Sequence, residues 1–250
     1  MEFVKMEGLG NDFILLAGPR HVSEADIRGW CERRRGIGAD GLLVASPLSK
    51  DRVRMEYWNA DGSASEMCGN GLRCVARYAH DQGWTHAPIF VIATPVGDRQ
   101  VEVKAGTVRA MLGVPSFPAE SDLMVAGSRV RPVGLGNPHA VVVVADLTQA
   151  SVEVLGPRIE MDPTFPKRTN VEFVEVVDDK SIKVRVWERG VGETLASGSG
   201  GAAAAAVVHD LGLVGPKVAV RLPGGELQVE IQLTGVWTEG PATYVFSGEI

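Results

Sequence analysis

Short runs in which apolar and polar side chains alternate, such as residues 101–103 and 182–186, predict strands, while the longer mixed runs at 72–80 and 201–209 predict one main helix in each half of the chain. The pattern also repeats. Gly8-Leu9-Gly10-Asn11-Asp12-Phe13 returns as Gly134-Leu135-Gly136-Asn137-Pro138-His139, each followed by an apolar strand-like run. Arg54-Met55-Glu56-Tyr57-Trp58-Asn59 returns as Lys183-Val184-Arg185-Val186-Trp187-Glu188. Nine residues beyond Asn59 stands Cys68-Gly69-Asn70-Gly71, and nine beyond Glu188 stands Ser197-Gly198-Ser199-Gly200. The copies keep their order at offsets of 126 and 129 residues, which predicts two homologous α/β lobes. The Pro, Ser and acidic residues at 115–121 mark the crossing, giving lobes of 1–115 and 116–238. Duplicated lobes commonly enclose a cleft, where ligands bind.

In each lobe the order strand, glycine-rich turn, helix places one side chain at a helix start, Cys68 in the first copy and Ser197 in the second. Unpaired N–H groups and the helix dipole favour negative charge there, so a cysteine at that place has its thiolate stabilised. Gly69, Gly71, Gly198 and Gly200 let a ligand come close to the backbone, whose amides can cradle a carboxylate. A free cysteine is more commonly a small buried hydrophobe than a catalyst. That reading is adopted for Cys31 and for Cys74, which lies inside the helical run; Cys68 differs by its glycine neighbours and its partner position.

Other signals are weaker. Gly36-Ile37-Gly38-Ala39-Asp40-Gly41 has dinucleotide-loop spacing, yet it follows three arginines and leads into an apolar strand. Ser197 and Ser199 lack the glycine placement of a nucleophile elbow. The five histidines form no metal-ligand grouping; His80 and His209 fall near helix ends, and His139 alone follows the second Gly-Asn echo. A net charge of −6 without a basic stripe argues against nucleic acid. The stretch 202–208 is too short to span a bilayer, and residues 1–13 do not read as a secretion signal. Three cysteines without paired spacing fit a reduced, cytoplasmic setting.

These segments together resemble the diaminopimelate epimerase family over nearly the whole chain. The resemblance is carried by Lys5-Met6-Glu7-Gly8-Leu9-Gly10-Asn11-Asp12-Phe13, Arg35-Gly36-Ile37-Gly38-Ala39-Asp40-Gly41, Asn59-Ala60-Asp61-Gly62-Ser63 and Glu66-Met67-Cys68-Gly69-Asn70-Gly71. It continues in Gly136-Asn137-Pro138-His139, Thr169-Asn170-Val171, Trp187-Glu188-Arg189-Gly190-Val191-Gly192-Glu193-Thr194 and the ending from Gly240-Pro241-Ala242 to Gly248-Glu249. It implies an α+β fold of two pseudo-symmetric lobes, each a mixed sheet around a central helix, with 239–250 returning to the first lobe. It also implies a small-molecule amino-acid substrate, no cofactor, no metal, and a proton removed by one thiol and returned by another. Cys68 matches the first thiol. Gly69 with Asn70, and Gly198 with Ser199, match the pairs that hold the α-carboxylate. Asn11, Asn59, Asn137, Asn170 and Arg189 match the residues that read the distal end, and His139 with Glu188 the polar pair that assists a thiol. A homodimer is compatible with the resemblance.

Position 197 departs from the pattern, since the family's second cysteine is a serine here. An alcohol is a far weaker acid than a thiol and a poor base near neutral pH. Two readings stay open: an introduced substitution in an otherwise intact framework, or a natural relative whose chemistry has moved to elimination, to another amino acid, or to binding without turnover.

Overall fold

The computed structural model describes every residue except Glu66, Glu120 and Ser121, so Glu66 of the Cys68 segment and the end of the crossing at 115–121 lie outside the described residues. The chain forms two compact units, Met1–Met111 with Gly240–Ile250, and Leu112–Glu239.

The first unit contains β1 (Glu2–Gly8), β2 (Asn11–Ala17), α1 (Glu24–Cys31), β3 (Gly41–Ser49), β4 (Arg52–Asn59), β5 (Ala64–Ser65), α2 (Gly69–Asp81), β6 (Ile89–Thr94), β7 (Gly97–Val103) and most of β8 (Val108–Gly113), whose last two residues fall in the second unit. The second contains β9 (Leu123–Val125), β10 (Ser128–Gly134), β11 (Pro138–Val144), α3 (Val152–Glu160), β12 (Asn170–Asp178), β13 (Ser181–Glu188), β14 (Gly192–Thr194), α4 (Gly198–Asp210), β15 (Lys217–Leu222), β16 (Gly225–Gln232) and β17 (Gly235–Gly240). The last strand, β18 (Thr243–Glu249), pairs antiparallel with β1 in the first unit.

The units repeat one plan. In each, an antiparallel hairpin leads by a parallel step, β2–β3 or β11–β12, into a second antiparallel pair, and a further parallel step, β4–β6 or β13–β15, crosses through the main helix. Register repeats too: Phe13 faces Gly41 in the first unit, as His139 faces Asn170 in the second. The Gly-Leu-Gly echo serves hairpin turns. Leu9 and Gly10 both have positive φ, 59° and 81°, as a two-residue turn between twisted strands requires.

Each main helix runs inside a sleeve of strands. Helix α2 packs against β1, β2, β3, β4 and β7, and α4 against β10 to β13, β15 and β16. All residues from Gly198 to Val208 are buried, which explains the alanine run: small side chains let strands approach on every side. A methyl group added at Gly201 would meet Val220 Cγ1 at 3.3 Å. Both helices begin three residues before the runs 72–80 and 201–209. Gly69, Gly71, Gly198 and Gly200, turn-like in sequence because glycine is a poor helix former, lie in their first turns, where enclosure outweighs propensity. Each unit also carries a second, shorter helix beyond the one expected, α1 or α3.

Phe173, fully buried on β12, anchors the core of the second unit with Val142, Val152 and Ile159. Phe173→Ala is expected to lower stability by about 3–5 kcal/mol, the scale for an aromatic-sized cavity. Urea unfolding followed by circular dichroism measures it, and a loss below about 1 kcal/mol would contradict this packing.

Candidate active site

Cys68 is the N-cap of α2. Its backbone is extended, φ −145° and ψ 110°, and Sγ accepts a hydrogen bond from the Gly71 amide at 3.3 Å. The amide favours negative charge on sulfur, and the half-buried side chain retains access to solvent. The thiol also donates to Asn11 Oδ1 at 3.7 Å. That oxygen accepts a second bond from Asn70 Nδ2 at 3.2 Å.

The network continues inward. Arg73, with no exposed surface, donates Nη2 to Asn70 Oδ1 at 2.8 Å and Nε to the Pro241 carbonyl at 3.1 Å. Asn11 Nδ2 donates to Asp40 Oδ2 at 2.8 Å, so both ends of the Asn11 amide are fixed. Asp12 beside it is held by Lys5 at 2.7 Å and Arg33 at 2.8 Å; burial raises its carboxyl, but these two cations outweigh that and bring it down to about 2. Asn59 closes a tight turn, its Nδ2 donating to Ser63 Oγ at 3.0 Å and its backbone N–H to the Ser63 carbonyl. The structure thus joins Asn11, Cys68 and Asn70 directly, with Gly69 in the same helix turn.

Ser197 caps α4 in the same way, with φ −126°, ψ 120° and Oγ accepting from the Gly200 amide at 3.2 Å. Gly198 and Ser199 follow it, buried in the first turn. Against this helix end lies a buried acid–base pair. His139 Nδ1 is 2.7 Å from Glu172 Oε1, and both side chains are wholly buried. His139 Nε2 is 2.8 Å from Asn137 Oδ1, so both ring nitrogens are engaged. Burial pushes the Glu172 carboxyl up, against the pull of His139.

Asn170, beside His139 in the strand register, ties two loops: Nδ2 donates to the Pro138 carbonyl at 3.0 Å, and Oδ1 accepts from the Arg189 amide at 3.0 Å. Buried Glu160 accepts from Trp187 Nε1 and from the Gly190 amide, which fixes the turn that carries Arg189. Glu188 accepts from Thr194 Oγ1 at 2.6 Å. Sequence reasoning did not single out Glu172, Glu160, Arg73 or Asp40. Asp40 lay inside a segment already noted, Arg73 one residue before a cysteine taken as core, and Glu172 one residue beyond the Thr169-Asn170-Val171 segment.

Among the described residues no group of three or more His, Cys, Asp and Glu is arranged to hold a metal, and no helix is long and apolar enough to cross a membrane. Two copies of a strand-wrapped helix, with a cysteine at one N-cap and its hydroxyl counterpart at the other, define the class of fold: a duplicated unit of strands wound around a helix. That fold is shared with a hydroxyproline epimerase from Agrobacterium vitis, at TM-score 0.77 and 17% identity over 99% of this chain and 91% of that one. A predicted epimerase from Pseudomonas aeruginosa matches at TM-score 0.75 and 17% identity over 100% and 98%.

The profile of the diaminopimelate epimerase family matches residues 3–118 and 132–245, and the chain belongs to that family. A diaminopimelate epimerase from Moorella thermoacetica is 40% identical over 100% of this chain and 99% of its own. One from Desulforudis audaxviator is 41% identical over 100% and 99%.

The three cysteines differ sharply in setting. Burial pushes the Cys31 thiol up to about 11 and also raises that of the fully enclosed Cys74. Iodoacetamide is therefore expected to modify Cys68 at least about tenfold faster than either near neutral pH. Peptide mapping after timed labelling of the folded protein reads this directly; faster loss of Cys31 or Cys74 would remove Cys68 from its assigned role.

Proposed function

We propose that this protein interconverts LL- and meso-diaminopimelate by moving the proton on one α-carbon, in the cytoplasm, with Cys68 as one of two proton-transfer positions and residue 197 as the other. The reading is carried by one observation: equivalent N-caps of two equivalent enclosed helices hold Cys68 and Ser197. Each side chain is aligned by the amide three residues on. Cys68 as thiolate removes the proton; the group at 197 serves the opposite face. Glu188 assists that transfer, His139 supports it through the groups that its two engaged ring nitrogens hold, and no cofactor takes part.

Binding follows from the same elements. The first-turn amides at Gly69 with Asn70, and at Gly198 with Ser199, receive the α-carboxylate, where helix N-termini favour an anion. Asn11, Asn59, Asn137, Asn170, Glu188 and Arg189 take the distal end, which carries both an ammonium and a carboxylate. Asn170 keeps one donor and one acceptor site beyond those engaged with Pro138 and Arg189. Arg189 supplies a planar fork for a carboxylate. A single-ended amino acid would leave these groups unpaired, which rejects it.

Serine at 197 favours a second reading, a homologue that binds substrate and turns it over slowly or not at all. Ser197→Cys separates the two. The variant is expected to gain epimerisation in both directions by about 10²–10⁴-fold, the usual worth of a positioned acid or base. Circular dichroism of diaminopimelate over time measures it. A cysteine variant that binds the substrate but gains no activity would place the second base elsewhere.

Arg189→Lys keeps the charge and loses the fork, so diaminopimelate binding is expected to weaken by about 1.5–3 kcal/mol. Titration calorimetry on the protein with serine at 197 measures the affinity. Unchanged affinity would take Arg189 out of the site.

A further inference from the structure

The two units act as controls for one another. The parallel strands repeat their register, so side chains on matched strands have counterparts. Counterparts of His139 and Glu172 are Phe13 and Leu43, both fully buried. Leu43 and Glu172 occupy the same place against the main helix. A methyl group added at Gly71 would meet Leu43 Cδ2 at 3.1 Å, and one at Gly200 would meet Glu172 Oε1 at 2.9 Å and Ser197 Oγ at 3.1 Å. The first unit therefore fills this space with two apolar side chains. Packing alone does not call for an acid and an imidazole in the second, and a buried ionisable pair rarely stabilises a fold more than apolar residues of similar size.

We propose that Glu172 is a positioning residue for epimerisation: it holds His139 in the tautomer that carries its proton on Nε2, and through it fixes the Asn137 amide with NH₂ toward the substrate. This rests on the function proposed above. The chain of contacts is short and buried. Glu172 Oε1 meets His139 Nδ1 at 2.7 Å, and His139 Nε2 meets Asn137 Oδ1 at 2.8 Å. With the Asn137 oxygen as acceptor, Nε2 must donate. The Nδ1 to Oε1 contact then needs one further proton between its two atoms.

Glu172 supplies it. Its second oxygen, Oε2, is buried without a hydrogen-bond partner among the described residues. An ionised carboxylate would lack a hydrogen bond at Oε2, whereas in an acid that donates from Oε1 the same atom is an uncharged carbonyl oxygen, which costs less to leave unpaired. Complete burial pushes the Glu172 carboxyl up, and it outweighs the pull of His139 and of the Ala140 and Glu172 backbone N–H groups. Glu172 as an acid donates to Nδ1, which therefore accepts, and Nε2–H donates to Asn137. The amide end that remains, NH₂, is a donor suited to a substrate carboxylate.

The test reads nitrogen protonation without substrate. In ¹⁵N-histidine-labelled protein, long-range ¹H–¹⁵N spectra are expected to show His139 protonated at Nε2 and bare at Nδ1. Glu172→Gln, whose NH₂ also donates to Nδ1, keeps that pattern and keeps diaminopimelate affinity. Glu172→Leu, which copies Leu43 of the first unit, keeps the melting temperature, loses the single tautomer and weakens diaminopimelate binding about tenfold, the worth of one misdirected hydrogen bond. In the Ser197→Cys background the same loss falls on KM more than on kcat. A proton on Nδ1 in the unsubstituted protein overturns the proposal, whatever the variants do. So does loss of the tautomer in Glu172→Gln, or an unaltered tautomer in Glu172→Leu. The expected tautomer pattern with no diaminopimelate binding in any variant supports the hold of Glu172 on His139 and sinks the substrate reading instead.

Discussion

A helix wrapped by strands leaves the amides of its first turn few partners, and the way α2 and α4 meet that constraint organises the rest of each unit. Cys68 and Ser197 each take one of these amides onto a side chain. The remaining amides stay as donors at a positive helix end, a setting suited to a carboxylate. Enclosure also dictates the small residues that follow, since Gly71, Gly200 and the run Ala202 to Ala206 lie where larger side chains would strike strands. The residue that caps the helix is thus fixed in direction by packing before any substrate arrives.

Around the two matching caps the surroundings differ in charge. The first unit brings a buried cation, Arg73, through Asn70 to the amide of Asn11 that faces the Cys68 thiol. At the matching place in the second unit stands Ala202, and the buried polar groups are instead His139 and Glu172. A duplicated fold that kept its register has been given two different electrostatic linings. On the function proposed above, opposite proton transfers at one carbon would call for unlike groups, and these linings are unlike.

Serine at 197 fits this frame without disturbing it. Its oxygen caps α4 with nearly the backbone angles and distance that the Cys68 sulfur uses in α2. What changes is acidity, because oxygen holds its proton far more tightly than sulfur. In the proposed function, substrate binding and proton transfer are therefore separable at this position, one resting on backbone amides and the other on the side-chain atom.

The repeat, the two helix-capping positions and the family were legible in the sequence, because each is written in contiguous residues: a Gly-Leu-Gly turn, a Cys-Gly-Asn-Gly start, a Trp-Glu-Arg-Gly end. The extent of the helices was less so, since glycine in a first turn reads as a break until strands are seen to enclose it. The partners of the site lay beyond it altogether. Arg73 meets the Pro241 carbonyl across 168 residues, and Glu172 meets His139 across 33. Glu172 shares its strand with the part-buried Glu175 and the exposed Asp178, and nothing in Asn170-Val171-Glu172-Phe173 marks it as inward. Sequence alone determined which residues cap the helices, because a cap is a contact between near neighbours in the chain. Only the tertiary structure decided what lies against those caps, because the register of parallel strands is set by the core that both strands share.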